Sequence, residues 1–336
     1  MSRTVAVVGA TGAVGREMLD TLSRRDFPLG ELRLMASKRS AGTVVETAWG
    51  EVTVEDLAEA DPAGIDIALF SAGGHRSTDH APRFAQAGAV VVDNSSAWRM
   101  HDDVPLIVAG VNDHAAADHE GIIANPNCTT MVLMMAVAPL HRAAGLRGLV
   151  ATSYQSVSGT GKDAMDALVA ETEALGKDPE ALRTGAWEDT GLSVYSRPIA
   201  WNVLPLAGSL TTEGYTDEEW KLVNETRKIL ESPDIRVEPA CVRVPVMVGH
   251  GIAATAWFGR EVTVEEAESL IAEAPGAEVW ADRVPTPLDS AGIDDVLVGR
   301  IRKTVGMPGG ISLWAVGDNL RKGAALNAVQ VAELLV

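Results

Sequence analysis

Hydrophobic positions along this chain fall into two regimes. Over roughly the first third, short apolar runs alternate with polar, glycine-bearing turns and stretches of helical spacing. Residues 5–8 form a continuous apolar run, the kind a parallel sheet buries on both faces. Residues 16–22 follow with helical spacing, and 31–36, 65–70, 89–92, 104–108 and 121–124 read as further strands. A longer apolar run, 131–140, predicts a buried helix; it is far short of the ~20 residues a membrane span needs. Beyond it the pattern changes. Residues 149–157 make a long strand with polar members, and a helix runs to Leu175. The segment 176–208 has no clear period and reads as loop with short pieces. Helices are expected over 216–230 and 262–274, with Thr216 as N-cap of the first. Strands are expected over 242–248, 251–260, 293–303 and 311–316, and one last helix over 318–335. Long strands with few helices between them point to an antiparallel or mixed sheet covered on one face.

Composition narrows the function classes. The 336 residues are 46% hydrophobic, ample for a sizeable core in one large or two medium domains. A net charge of −18 argues against nucleic acid and anionic membrane as partners. Two cysteines, Cys128 and Cys241, exclude a disulfide framework and fit a reducing compartment. No charged leader precedes the first strand, so a cytoplasmic, soluble protein is expected. No group of residues suggests a metal site.

The candidate chemistry sits where strands end. Gly9-Ala10-Thr11-Gly12-Ala13-Val14-Gly15 lies between the first strand and the first helix. Glycines there let backbone approach a pyrophosphate, and the helix end supplies N–H donors. The second strand ends in Ser37-Lys38-Arg39-Ser40 rather than in an acidic residue. Two cations and two hydroxyls suit a 2′-phosphate, so NADP is favoured over NAD. Ser71, in a Ser-Ala-Gly-Gly loop, ends another strand, and Arg99 lies on the loop after residues 89–92. Arg99 reads as an anion ligand or as a surface arginine, and by itself the surface arginine is preferred. Asn125-Pro126-Asn127-Cys128-Thr129-Thr130 reads as strand, tight turn and helix, with Cys128 at the helix entrance. That position stabilises a thiolate. The plain alternative is a buried cysteine acting as a small hydrophobe. Glu218 and Lys221 share a helix face, which by spacing alone fits a solvated ion pair. Arg243 precedes His250 by seven residues, and His250 stands between two glycines.

With these residues in view, the chain resembles bacterial aspartate-semialdehyde dehydrogenase over essentially its whole length. The resemblance is carried by the glycine turn, Ser37–Gly42, Asp93-Asn94-Ser95-Ser96, Asn125–Thr130 and Gln155–Gly159. It continues through Glu218–Lys221, Arg243–His250 and Asp318–Gly323. It implies a Rossmann-type NADP-binding domain over 1–128 and 317–336, and an α+β substrate and dimerisation domain with a mixed sheet over 129–316. It implies a homodimer that interconverts aspartyl phosphate and aspartate semialdehyde in lysine, threonine, methionine and diaminopimelate biosynthesis, with inorganic phosphate and a cysteine thioester. In that family Cys128 corresponds to the nucleophile, His250 to the acid/base, Gln155 to the residue that orients the acyl group, and Asn127 to an oxyanion donor. Arg243 would hold the substrate carboxylate, Glu218 its ammonium, and Arg99 and Lys221 its phosphate. Gly9, Thr11, Gly12, Ala13, Val14, Ser37, Arg39, Ser40, Ser71, Ser158, Gly159 and Asn319 would meet the cofactor. The rival readings are N-acetyl-glutamyl-phosphate reductase, whose substrate has no ammonium for Glu218, and a non-catalytic NADP sensor.

Overall fold

The computed structural model describes residues 2–336. The chain divides into two compact units. One holds the chain up to Ala138 with Asn224–Pro233 and Leu320–Val336; the other holds Pro139–Val223 and Asp234–Asn319. Nothing local in the chain marks 224–233 as grouping with the first unit.

The first unit is built on β1 (Arg3–Val8), α1 (Ala13–Arg24), β2 (Leu29–Ala36), β3 (Val44–Thr47), β4 (Gly50–Asp56), β5 (Ile67–Phe70), α2 (Gly74–Gln86), β6 (Val90–Asp93) and β7 (Ile122–Ala124). Its sheet runs β3-β4-β2-β1-β5-β6-β7. Every pair is parallel except the β3–β4 hairpin. The apolar pattern does not reveal that hairpin; without its outer strand β3, the order β4-β2-β1-β5-β6-β7 is that of a doubly wound dinucleotide-binding sheet. The order reverses between β1 and β5, and open α/β sheets bind ligands at such a point. Helix α3 (Cys128–Ala144) follows β7. Met131 to Ala138 are all buried, as expected of a helix that is apolar all round.

Residues 104–108 do not form the expected strand; only Leu106 bridges to Ala124. Side-chain amides capture this backbone. Asn112 accepts from the Val108 N–H and donates to the Leu106 carbonyl, both at 2.9 Å. Asn327 accepts from the Ala109 N–H at 2.9 Å and donates to the Ile107 carbonyl at 2.8 Å.

The second unit contains β8 (Leu146–Gln155), α4 (Lys162–Leu175), α5 (Pro179–Thr184), α6 (Asp217–Ile229, counted here as far as Val223), β9 (Arg236–Arg243), β10 (His250–Phe258), α7 (Val264–Ala272), β11 (Ala277–Trp280), α8 (Pro287–Ser290), β12 (Val296–Lys303) and β13 (Gly310–Gly317). Its sheet runs β11-β12-β13-β10-β8-β9 and is mixed: β8–β9 and β11–β12 are parallel, the rest antiparallel. Thr216 caps α6 as expected. Its hydroxyl accepts from the Glu219 N–H at 3.1 Å, and the Glu219 carboxylate accepts from the Thr216 N–H at 2.8 Å.

Two expectations need correction. The strand placed at 242–248 lies earlier, because Pro245 has no N–H to give a ladder. Instead β9 runs through Pro239, which is tolerated because β9 is an edge strand. The final helix is also two pieces. A π-helical turn, Arg321–Ala325, precedes α9 (Leu326–Glu333). Buried Lys322 lies in that turn and donates to the Ala109 carbonyl at 2.8 Å and to Gln330 at 2.8 Å. No helix among the described residues is long and apolar enough to cross a membrane.

Gly9 and Gly88 both hold positive φ, at 90° and 98°. A Cβ on Gly9 would overlap the Ser71 carbonyl, whereas one on Gly88 would meet nothing within 4 Å. Gly88→Ala should therefore cost only the backbone strain, on the order of 1 kcal/mol. Gly9→Ala should cost clearly more. Denaturant midpoints measure the difference, and equal losses would rule out the close approach of β1 and β5.

Candidate active site

Each unit contributes a built group of polar residues. In the first, β1 runs straight into the glycine turn, and Gly9 allows that turn to press against Ser71 at the end of β5. A Cβ on Gly15 would overlap the Gly9 carbonyl, so the entrance of α1 also needs glycine. The Gly9 and Ala10 N–H groups both reach the Met35 carbonyl at the end of β2, at 2.7 and 3.3 Å. No side chain caps α1 at Gly12. Its first-turn N–H groups, at Ala13 and Val14 beside Thr11, therefore present a positive helix end. The Ser40 N–H closes a turn on the Ser37 carbonyl at 2.8 Å. Lys38 and Arg39 stand exposed on that turn, and both serines are half-buried. The glycine cradle suits a pyrophosphate, and the 37–40 turn suits a further phosphate.

The Cys128 turn lies in the same unit. Asn125 is fully buried: its Nδ2 donates to Asn94 Oδ1 at 2.6 Å and to the Ala324 carbonyl at 3.1 Å, and its Oδ1 accepts from Asn327 at 2.6 Å. Asn127 Oδ1 accepts from the Thr129 N–H at 2.9 Å, so Asn127 caps α3. Cys128 is the first residue of α3 and is partly exposed; Cys241 is buried in β9.

Arg99 is not the surface arginine of one sequence reading, being 7% exposed and ion-paired with Glu225. It donates to the Asn125 carbonyl at 2.9 Å, the Asn94 carbonyl at 3.0 Å and Glu225 Oε1 at 3.0 Å. Two of its five N–H groups lie outside these bonds. Glu225 also accepts from the Asn127 N–H at 2.7 Å.

In the second unit, His250 is fully buried, and its Nδ1 accepts from the Ser156 N–H at 3.1 Å. That bond places the proton of the neutral ring on Nε2. Nε2 has no hydrogen-bond partner, and neither does the buried Nε of Arg243. Arg243 NH1 donates to the Ser156 carbonyl at 2.7 Å, and its guanidinium lies 5.8 Å from the Tyr195 ring centre. A Cβ on Gly159 would stand 3.3 Å from both Arg243 NH1 and His250 Nε2, so a bare glycine keeps the space beside them open. Asn319, a cofactor candidate, accepts at its Oδ1 from Ser156 at 3.0 Å, Ser158 at 3.1 Å and the Gly249 N–H at 2.9 Å. Ser158 is likewise engaged within this network.

Gln155, buried at the end of β8, donates to Glu218 Oε1 at 3.5 Å and to Ser153 at 3.2 Å. Glu218 in turn meets Lys221 at 3.1 Å, and Lys221 also meets Asp217 at 2.8 Å. The Glu218 side chain is only 12% exposed, so this is not the solvated pair that spacing alone suggests. Burial would lower the Lys221 pKa, but Glu218 and Asp217 outweigh it and raise it, keeping the ammonium charged.

Burial, aided by the Arg243 charge, pushes the His250 pKa down to about 3. Its ordinary value near 6.5 is therefore not what the fold provides. The folded pKa is depressed, so the unfolded chain takes up a proton first as pH falls through 6.5. Stability from this residue is thus intact above that pH and is lost between 6.5 and 3, by about 2 kcal/mol at pH 5. His250→Asn should flatten the acid side of the stability curve. Urea midpoints at pH 8 and pH 5 test this, and an unchanged slope would count against a neutral, buried ring.

Ser156 and Glu225 were not singled out from the sequence. Ser156 could have been found within Gln155–Gly159; Glu225 carries no local signal.

A doubly wound sheet with a dinucleotide cradle defines a class: NAD(P)-binding oxidoreductases. Comparison with known proteins narrows it. The model described as "Semialdehyde dehydrogenase, NAD binding domain" matches residues 4–119, and "Semialdehyde dehydrogenase, dimerisation domain" matches 137–322. The aspartate-semialdehyde dehydrogenase of Streptomyces akiyoshiensis is 52% identical, over 98% of each chain. That of Bacillus subtilis is 44% identical, over 98% of this chain and 96% of its own. The solved aspartate semialdehyde dehydrogenase II of Vibrio cholerae, complexed with ASA, is 42% identical with a TM-score of 0.92, covering 100% of this chain and 98% of that one. The chain belongs to the aspartate-semialdehyde dehydrogenase family, and so to the oxidoreductases.

Proposed function

We propose that this enzyme reduces L-aspartyl 4-phosphate to L-aspartate 4-semialdehyde with NADPH, reversibly and with release of phosphate, through a thioester on Cys128. The observation that carries this reading is the place of Cys128 as the first, partly exposed residue of α3, while the other thiol lies buried. At that helix end the Cys128 thiolate attacks the acyl carbon, and phosphate leaves. The resulting thioester would take one hydride, the chemistry a nicotinamide held in the glycine cradle would supply. The hemithioacetal then collapses to aldehyde and returns the thiolate. The Cys128 N–H and the Asn127 amide serve as oxyanion donors. His250 enters neutral, with its proton on Nε2, and exchanges that proton with the reacting oxygen. An anionic substrate offsets the Arg243 repulsion and raises the basicity of the ring.

Arg243 suits the α-carboxylate, since a carboxylate would satisfy its orphaned Nε. Glu218 takes the α-ammonium, and Gln155 orients the acyl group beside it. Lys221 and Arg99 take the phosphate; Lys221 then exchanges Asp217 and Glu218 for the incoming anion. In the cofactor site, Gly9, Thr11, Gly12, Ala13 and Val14 hold the pyrophosphate, and Ser71 lines the cradle. Ser37, Arg39 and Ser40 hold the 2′-phosphate. Ser158, Gly159 and Asn319 support the nicotinamide end, Asn319 by fixing the serines. A homodimer fits the family's dimerisation domain and the exposed Val150 and Tyr154 on β8.

The test is NADP reduction with aspartate semialdehyde, with and without inorganic phosphate. Turnover should require phosphate, and Cys128→Ser should lower kcat by several orders of magnitude. Faster turnover of the N-acetylated five-carbon aldehyde would give the enzyme to the rival substrate class.

Cofactor choice has its own test. Arg39→Ala should weaken NADP by about tenfold to a hundredfold and NAD far less, since one charge-assisted phosphate contact is lost. Equal losses in binding titrations would place Arg39 away from the 2′-phosphate.

A further inference from the structure

The turn in front of Cys128 is held at both ends by one buried ion pair. Arg99 Nε binds the Asn125 carbonyl, and Glu225 Oε2 binds the Asn127 N–H. Between them Pro126 has no N–H to offer. The pair itself closes through Arg99 NH1 and Glu225 Oε1 at 3.0 Å, with side chains 9% and 1% exposed. Lys228, one helical turn after Glu225 on α6, grips the other end of the same arginine. Its Nζ donates to the Arg99, His101 and Val104 carbonyls at 2.9, 2.6 and 2.8 Å. Helix α6 thus fixes Arg99 by its guanidinium and by its backbone.

We propose that Glu225 is a positioning residue for Cys128: one oxygen fixes the turn that presents the thiol, and the other masks the charge of Arg99. The masking matters because a bare guanidinium near a helix entrance would add to the helix dipole and ionise the thiol further. It would also hold a released phosphate more tightly. The charged groups that bear on this balance within the unit are few. Arg99 and Glu225 form the pair, Lys228 sits on the Arg99 carbonyl, and the buried Asp93 carboxyl lies in the field of Arg99. Asp93 is already engaged by the Ser77 hydroxyl and by Ser95, so it does not replace Glu225 as the partner of Arg99. The inference rests on the reading of Cys128 as nucleophile and Arg99 as a phosphate ligand.

The experiment uses the full-length enzyme. Cys128 is alkylated with iodoacetamide across a pH series, and the modified Cys128 peptide is quantified by mass. Glu225→Gln should lower the midpoint of the labelling curve by about one pH unit, because the pair then carries a net positive charge. Arg99→Gln/Glu225→Gln should return the midpoint to that of the parent, because no net charge remains. The double variant also covers the case in which an unmatched Arg99 prevents folding of the single one. A folded Glu225→Gln enzyme with the parent midpoint overturns the proposal, as does a double variant whose midpoint stays low. Labelling requires no substrate, so it stands apart from the proposed reaction. In phosphate-dependent turnover, Glu225→Gln should lower the KM for phosphate several-fold while kcat falls. An unchanged KM alongside a shifted midpoint would strike the phosphate role of Arg99 and leave the positioning role of Glu225.

Discussion

The first unit depends on one buried amide. Asn125 joins the end of β7 to the Asn94 loop, to the π-helical turn through the Ala324 carbonyl, and to α9 through Asn327. Asn327 carries the connection to residues 107 and 109, and Lys322 closes it on the Ala109 carbonyl. Inside a dry core such a network is stable only when each member is satisfied. Here the satisfaction is mutual: amide to amide, amide to carbonyl, ammonium to carbonyl. The last helix of the chain therefore packs as part of the unit that holds Cys128, and the turn carrying that thiol inherits the rigidity of the network.

Polar burial is used differently in the second unit. Ser156, Ser158, Gly249 and Asn319 consume one another's hydrogen-bonding capacity. Arg243 Nε and His250 Nε2 are left without partners. Buried donors without acceptors cost free energy, so they are informative where they occur. Two such donors beside a glycine that leaves room suit an anionic group. The same enclosure strips water from His250 and holds its pKa far below the usual range, so the unit stores a neutral ring.

Arg99 shows how a fold can qualify a charged residue. A free surface arginine and an open phosphate ligand were the two readings of its sequence position. The structure buries it, pairs it with Glu225 and pins its backbone with Lys228. Its charge reaches the thiol turn only as the difference between two buried groups. Lys221 is handled more loosely: it is partly exposed and shared between two carboxylates, an arrangement an incoming anion can rearrange.

The sequence determined the elements whose signal is local. Continuous apolar runs marked β1 and the buried helix α3. Glycine spacing marked the cradle at α1, and the Thr216 and Glu219 pattern marked the start of α6. Cys128 at a helix entrance was legible for the same reason, since strand, turn and helix lie within a dozen residues. Tertiary structure alone decided what depends on partners distant in the chain. Residues 104–108 have a strand's side chains, but Asn112 and Asn327 take their backbone. The 242–248 run is apolar, yet the sheet edge and Pro245 shift the ladder back to Arg236–Arg243. The pKa of His250 has no local mark either, because burial and the Arg243 charge are properties of the packed state. Glu225 was invisible because a lone glutamate on a helix has no local mark, and its meaning comes from an arginine 126 positions away in the chain. Apolar patterning records which side chains leave water; it does not record which distant groups meet once they have left it.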